Sequence, residues 1–199
     1  MKETGGNAVA AVLETPRLRL RRISDDDADF ILELLNEPSY IQNIGDRGLR
    51  TSDNARSYIS NKLRASYDNF GYGLYLVESK EETIPLGISG FVKREVLEHA
   101  DIGFAFLQRF WSKGYAYESA AGVLGYGRAV LGFDRVLGIT APHNKSSIRL
   151  LEKLGLRFER MIQLPGLTTE QKLFSTPEFK APNQTIEHLM VDDRQQNDG

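Results

Sequence analysis

Residues 101–118 read DIGFAFLQRFWSKGYAYE and carry the chemistry to be expected of this chain. Ile102, Phe104 and Phe106 alternate with Asp101, Gly103, Ala105 and Leu107, which is a strand pattern. A polar turn over 108–113 follows, then Gly114. Apolar residues at Ala116, Ala120, Val123, Leu124 and 129–131 then recur near helical spacing. A strand that passes through a short basic turn and a glycine into a helix leaves several backbone N–H groups unpaired. The positive end of the helix dipole points the same way. Such a corner binds an anion, and a phosphate is the usual one. Two common phosphate loops are excluded by spacing. No stretch supplies G-x-x-x-x-G-K-[ST], and the turn 108–113 has no glycine for G-x-G-x-x-G.

The segment WSKGYAYESA (111–120) resembles motif A of the GNAT acyl-CoA N-acyltransferases, R/Q-x-x-G-x-G/A. It is closest to the RimJ/RimL-like branch, where W-G-K-G-Y-A-x-E-A is a common form. Lys113, Gly114, Tyr115, Ala116 and Glu118 match that form, while Trp111 replaces the broader family's Arg or Gln and Ser112 a common glycine. Downstream, APHNKSSIRLLEKLGL (141–156) resembles motif B, N-x-x-S-x-x-x-L-E-K-x-G-F, with Asn144, Ser147, Leu151, Glu152, Lys153 and Gly155 in register. The resemblance implies acetyl-CoA as cosubstrate. Its pyrophosphate would lie on the backbone around Trp111, Ser112, Lys113, Gly114, Tyr115 and Ala116, and its pantetheine arm would meet Asn144, which also suits a helix cap.

Acyl transfer to an amine needs a base, a hold on the carbonyl oxygen and help for the departing thiolate. Asp101 stands where many members of the resembled family place a glutamate and is the first candidate base; it equally suits a buried partner for an arginine. Glu118 is the second candidate, and an acid in a first helical turn also suits the dipole without catalysis. The resemblance implies a backbone N–H at Phe106 or Leu107 for the oxyanion. Many family members carry a tyrosine seven residues after the motif B asparagine. Here Leu151 stands at that place. The resemblance implies that Ser147, at the position this branch uses instead and one helical turn closer, meets the sulfur; Ser147 equally suits a space-filler at a crowded helix start.

Composition narrows the field. The 199 residues suit one domain with a real core, and 25 Lys+Arg against 27 Asp+Glu leave a formal charge of −2 and no electrostatic case for nucleic acid. The chain has no cysteine, which removes thiolate ligands and a cysteine nucleophile. His99, His143 and His188 are scattered and make no metal spacing, so no metal is expected. No apolar run approaches the length of a membrane span or follows a basic start, so a cytoplasmic location is the expectation.

The elements that must position these residues follow from pattern. A strand is expected over 13–23, with Arg17, Arg19 and Arg21 as a solvated face, then a Ser24–Asp27 capping box opening a helix that Pro38 ends. A loop over 37–50 leads to a second helix from Thr51 or Ser52, with Ala55, Tyr58, Ile59, Leu63 and Tyr67 on one face. Strands at 73–79, 84–93, 101–107 and 135–140, helices after 114 and over 144–154, and a closing hairpin at 156–164 and 170–175 complete the order β-α-α-β-β-β-α-β-α-β-β. That is the order of a mixed α/β sheet flanked by helices, and it is the GNAT order. The expected layout is a flexible start at 1–12, one acetyltransferase domain over 13–176 and a polar tail at 177–199. The resemblance implies a primary amine acceptor, either a protein N-terminus or a small molecule. A CoA-binding module without turnover is the alternative, and monomer and homodimer both stay open.

Overall fold

The computed structural model describes residues 10–178. Most of the expected flexible start, the polar tail beyond 178 and His188 lie outside the described residues.

Where one strand is expected over 13–23, the chain forms two: β1 (Ala11–Glu14) and β2 (Leu18–Arg21), antiparallel, with Ala11 opposite Arg21. Pro16 is the cause, since it has no N–H for a ladder and fixes its own φ. Thr15 closes the turn by donating its N–H to Leu18 O at 2.9 Å. Asp27 accepts the Ser24 N–H at 2.7 Å, as a capping box requires, and opens α1 (Ala28–Asn36). Phe30, Ile31, Leu34 and Leu35 are its buried stripe. Pro38 ends α1 and at once starts α2 (Pro38–Asn43), so the front of the expected 37–50 loop is helical. A proline suits that first position because its missing N–H would be an orphan there anyway.

Thr51 caps α3 (Ser52–Tyr58) by accepting the Asn54 N–H. The buried residues Ala55, Ile59, Leu63 and Tyr67 recur every four positions, which drifts roughly 40° per step on a 3.6-residue helix. A wider π turn over Ile59–Arg64 absorbs that drift before α4 (Ala65–Phe70).

The remaining elements are β3 (Leu74–Ser79), β4 (Pro85–Val92), β5 (Asp101–Phe106), α5 (Tyr115–Ala129), β6 (Leu137–Thr140), α6 (Lys145–Lys153), β7 (Arg157–Ile162) and β8 (Gln171–Ser175). All eight strands form one mixed sheet in the order β1-β2-β3-β4-β5-β6-β8-β7. The expected mixed α/β architecture is therefore present, with the closing hairpin inserted so that β7 takes the outer edge. Tyr75, Val77, Phe91, Ile102 and Phe106 pack on one face with Ala120, Val123 and Leu151 of α5 and α6. Leu76, Ile88 and Leu107 pack on the other with α1 and α3.

The α5 stripe departs from expectation at its end. Val130 is exposed, and Gly127 continues the stripe instead, lying so close to Phe91 that a Cβ would come within 2.5 Å of the ring.

The feature that matters for function is the β5–β6 pair. These strands run parallel and pair at Asp101–Leu137 and Ile102–Gly138, and no further pairing joins them. From Gly103 to Phe106 they part.

Candidate active site

Strand alternation decides which backbone groups face that gap. Leu107 donates its N–H to Leu86 O of β4 at 3.1 Å. Odd-numbered residues of β5 therefore bond toward β4, and the N–H and C=O groups of Phe104 and Phe106 point the other way, into the gap. Of the two expected oxyanion donors, only Phe106 is so placed; Leu107 is committed to the sheet. Trp111 donates its indole N–H to Phe106 O at 2.8 Å, which ties the turn back onto the strand.

The turn beyond β5 is held on several sides. Glu37 at the end of α1 accepts the Gln108 N–H at 3.3 Å, and Arg109 pairs with Glu33 of the same helix. From the β1–β2 hairpin, Arg17 donates Nη1 to Lys113 O at 3.1 Å and lies 4.7 Å above the Tyr115 ring. Ser112 and Gly114 both take positive φ, +61° and +83°. At Gly114 that conformation lets the chain enter α5 with its first N–H groups aimed outward. Within α5 the Glu118 N–H is the first to find a helical partner, Gly114 O at 3.0 Å, which leaves the N–H groups of 114–117 without one. They are the N–H groups at which the sequence leads one to expect an anion.

Ser112 adopts the left-handed region without glycine's freedom, a strain of about 1–2 kcal/mol. Ser112→Gly is expected to raise stability by up to about 1 kcal/mol after glycine's own entropic cost, read as a later urea midpoint at unchanged slope.

Glu118 turns its carboxylate to the hairpin. Oε1 accepts Thr15 Oγ1 at 2.6 Å and the Arg17 N–H at 2.8 Å, and Oε2 accepts Arg17 Nε at 2.6 Å. Burial pushes this carboxyl up, but the Thr15 and Arg17 donors outweigh it and hold the group below the usual range. A carboxylate so occupied is an anchor between α5 and the β1–β2 turn, not a free base.

On the other side of the gap, Asn144 caps α6: its Oδ1 accepts the Ser147 N–H at 3.0 Å. The cap uses the carbonyl end of the amide and leaves the NH₂ end as a donor. Ser147 is half-buried in the first turn of α6. Leu151, one turn on, is 1% exposed and packs so tightly on Gly138 that a Cβ there would meet it at 2.7 Å.

Asp101 begins β5 at the paired end of the gap and is 2% exposed. Arg94 donates Nε to its Oδ2 at 2.8 Å. Oδ1 is buried without a hydrogen bond; the Ile139 backbone N–H lies near enough to favour the charge but not to form one. Burial dominates and lifts the Asp101 pKa to about 6, against the pull of Arg94. Asp101 thus has both characters the sequence allows, an arginine partner and a perturbed carboxyl.

A separate cavity of about 470 Å³ opens between α5 and the end of α6, beside Tyr117, Arg128 and Lys153. None of Asp101, Phe106, Asn144 or Ser147 lines it. Among the described residues no group of acids and histidines is placed to hold a metal ion, and no helix is long and apolar enough to cross a membrane.

Residues 17–157 match the family model described as Acetyltransferase (GNAT) domain. The chain belongs to the GNAT acetyltransferase family. Within that family it is 31% identical to the uncharacterized protein YkkB of Bacillus subtilis (strain 168), over 76% of this chain and 88% of that one. Among solved structures it is similar to a GNAT-family acetyltransferase from Bordetella pertussis, with a TM-score of 0.70, 24% identity and coverage of 84% of this chain and 100% of that one. It is also similar to RimL, the ribosomal L7/L12 α-N-protein acetyltransferase solved with coenzyme A. That match has a TM-score of 0.70 at 14% identity and covers 83% and 97%. The parted strands, the glycine corner and the capped α6 all lie within the matched residues. Arg17, Arg94 and the Glu33–Glu37 brace lie outside both motifs, and sequence reading missed their roles. Pro16 was the available signal for the hairpin that delivers Arg17.

Proposed function

We propose that this GNAT protein is an N-acetyltransferase that moves an acetyl group from acetyl-CoA to a primary amine, a protein N-terminus or a small molecule, by direct attack in a ternary complex. The observation that carries the reading is the parting of β5 from β6 at a corner whose amides, 114–117, have no partner. Unpaired strand backbone suits an arm that carries amides, and the corner suits a diphosphate. Acetyl-CoA would supply the activated thioester. The chain's own residues would do the rest. The 114–117 amides and the Asn144 NH₂ bind the cosubstrate, the Phe106 N–H steadies negative charge on the carbonyl oxygen, and Ser147 donates its hydroxyl hydrogen bond to the departing sulfur. Asp101, at the far end of β5, draws the proton from the amine along a chain of waters. RimL, named for acetylating a protein N-terminus and solved with CoA, supports the cosubstrate and makes a peptide amine a sensible first acceptor.

A second reading, a CoA-binding module without turnover, is favoured by one observation: Leu151, sealed against Gly138, has no proton to give at the position where the motif B resemblance leads one to expect a tyrosine. An assay of thiol release from acetyl-CoA with a panel of amines and peptide N-termini separates the two. Amine-dependent release supports the enzyme. Thermal stabilisation by CoA with no release supports the module, because a ligand that binds only the folded state must raise its stability. Neither response ends both readings. Within the enzyme reading, Ser147→Ala is expected to lower kcat about 10-fold or more while KM for acetyl-CoA shifts less than about 2-fold. Equal kinetics would remove Ser147 from the mechanism.

A further inference from the structure

Arg17 lies 101 residues before Glu118, in neither family motif, yet it meets the Lys113 carbonyl, the Glu118 carboxylate and the Tyr115 ring. We infer that Arg17 is the positioning residue of that corner: by holding the Lys113 carbonyl it fixes which way the 113–114 peptide faces. The inference rests on the acetyl-CoA reading above.

A trans peptide points its C=O and its N–H in opposite directions. The peptide between Lys113 and Gly114 can therefore present to the anion seat either the Gly114 N–H, which attracts a phosphate, or the Lys113 oxygen, which repels one. Its neighbours do not decide the matter, because Ser112 and Gly114 both sit at positive φ, and the glycine tolerates a wide range of backbone angles. Arg17 decides it. Its Nη1 holds Lys113 O at 3.1 Å on the hairpin side, so the Gly114 N–H is turned to the opposite side.

The guanidinium is itself pinned, which makes it a strut and not a loose cation. Nε meets Glu118 Oε2 at 2.6 Å, and the Arg17 backbone N–H meets Glu118 Oε1 at 2.8 Å. Thr15 Oγ1 reaches that same Oε1 at 2.6 Å, and the Tyr115 ring lies beneath the guanidinium at 4.7 Å. The planar fork serves two acceptors at once, Glu118 and Lys113 O. A lysine ammonium in its place is a point charge on a flexible stem and does not reproduce that geometry.

The test compares two thioesters, acetyl-CoA and S-acetylpantetheine, which lacks the diphosphate. For Arg17→Ala the ratio of kcat/KM for acetyl-CoA to kcat/KM for S-acetylpantetheine is expected to fall about 10-fold, the scale of one charge-assisted hydrogen bond. Arg17→Lys is expected to restore less than half of that loss on a logarithmic scale. Glu118→Gln, which leaves the fork one weakened partner, should shift the ratio in the same direction by less. Thermal midpoints of all three variants establish that they fold, and Arg17→Lys keeps the test open if Arg17→Ala does not. A ratio unchanged in every folded variant, with both rates lowered together or neither lowered, overturns the positioning role and makes Arg17 a general stabiliser. Wild-type protein that neither binds CoA nor releases thiol from acetyl-CoA would instead sink the acetyl-CoA reading, and this inference with it.

Discussion

Asp101→Asn is expected to lower kcat/KM about 100-fold above pH 6 and to erase a limb of the pH profile centred near that value. The argument begins with distance. Five residues of extended strand separate Asp101 from the Phe106 amide, roughly 16 Å of backbone, so the carboxylate does not touch an amine attacking a carbonyl held there. A proton can reach it only along a chain of several waters, longer than the single water a general base ordinarily uses, which puts the expected loss at the low end of the 10²–10⁴ range for general-base catalysis. Burial lifts the Asp101 pKa to about 6, so the wild-type rate should rise as pH passes through that value and the base ionises. The asparagine variant should lack that rise. A limb that survives unchanged in Asp101→Asn would place the base elsewhere.

The same shift makes an independent stability prediction. A carboxyl with a pKa near 3.9 unfolded and about 6 folded keeps its proton longer in the folded state. Below about pH 4 both states hold it. Between about pH 4 and 6 only the folded state does, so stability falls as pH rises, and the full penalty, on the order of 3 kcal/mol, applies above that window. Glu14, Glu33, Asp46, Glu118 and Glu159 have lowered pKa values and push the other way, so the measurement is the difference between wild type and Asp101→Asn. Denaturation free energies should diverge in favour of the variant across pH 4 to 6. A constant difference would mean that the Asp101 carboxyl is not perturbed.

Much of this site was legible because its parts are local. Residues 101–118 carry a period-2 pattern, a glycine and a helical stripe within one stretch, and Asn144 with Ser147 is a cap written in four residues. What sequence reading missed is what the sheet brings together from afar. Arg17 and Arg21 read as a solvated face because alternation says only that they share a side of the one strand expected there, not what lies opposite. Arg21 meets Glu78 only because β2 pairs with β3, and Arg17 meets Glu118 only because α5 crosses beside the hairpin. The choice between Phe106 and Leu107 was invisible for a similar reason. It depends on which ladder bonds β5 makes with β4, and a sequence that alternates in side chains gives no sign of it.

Arg21→Met is expected to destabilise the fold by about 3–5 kcal/mol, the cost of removing one member of a buried charge network. Arg21 gives Nη1 and Nη2 to the two oxygens of Asp27 at 2.8 and 2.7 Å, and Nε to Glu78 at 2.8 Å. The three side chains are 13%, 8% and 9% exposed, so methionine would leave two carboxylates facing each other with little water. The Asp27 bond, with Glu78 behind it, holds the Arg21 pKa above its ordinary range despite burial, which marks the network as charged. Two controls sharpen the reading. Glu78→Gln should cost far less, since Arg21 keeps its fork on Asp27. Combining Arg21→Met with Asp27→Asn and Glu78→Gln should recover much of the loss, because no buried charge is then stranded. A loss below about 1 kcal/mol for Arg21→Met would show that the two carboxylates escape to solvent. The consequence reaches the active site through α1. Asp27 closes the capping box that starts this helix, and Glu33 and Glu37 at its other end hold Arg109 and the Gln108 N–H. A helix that frays at Asp27 therefore loosens the turn after β5 from the α1 side, while Arg17 still grips it from the hairpin side.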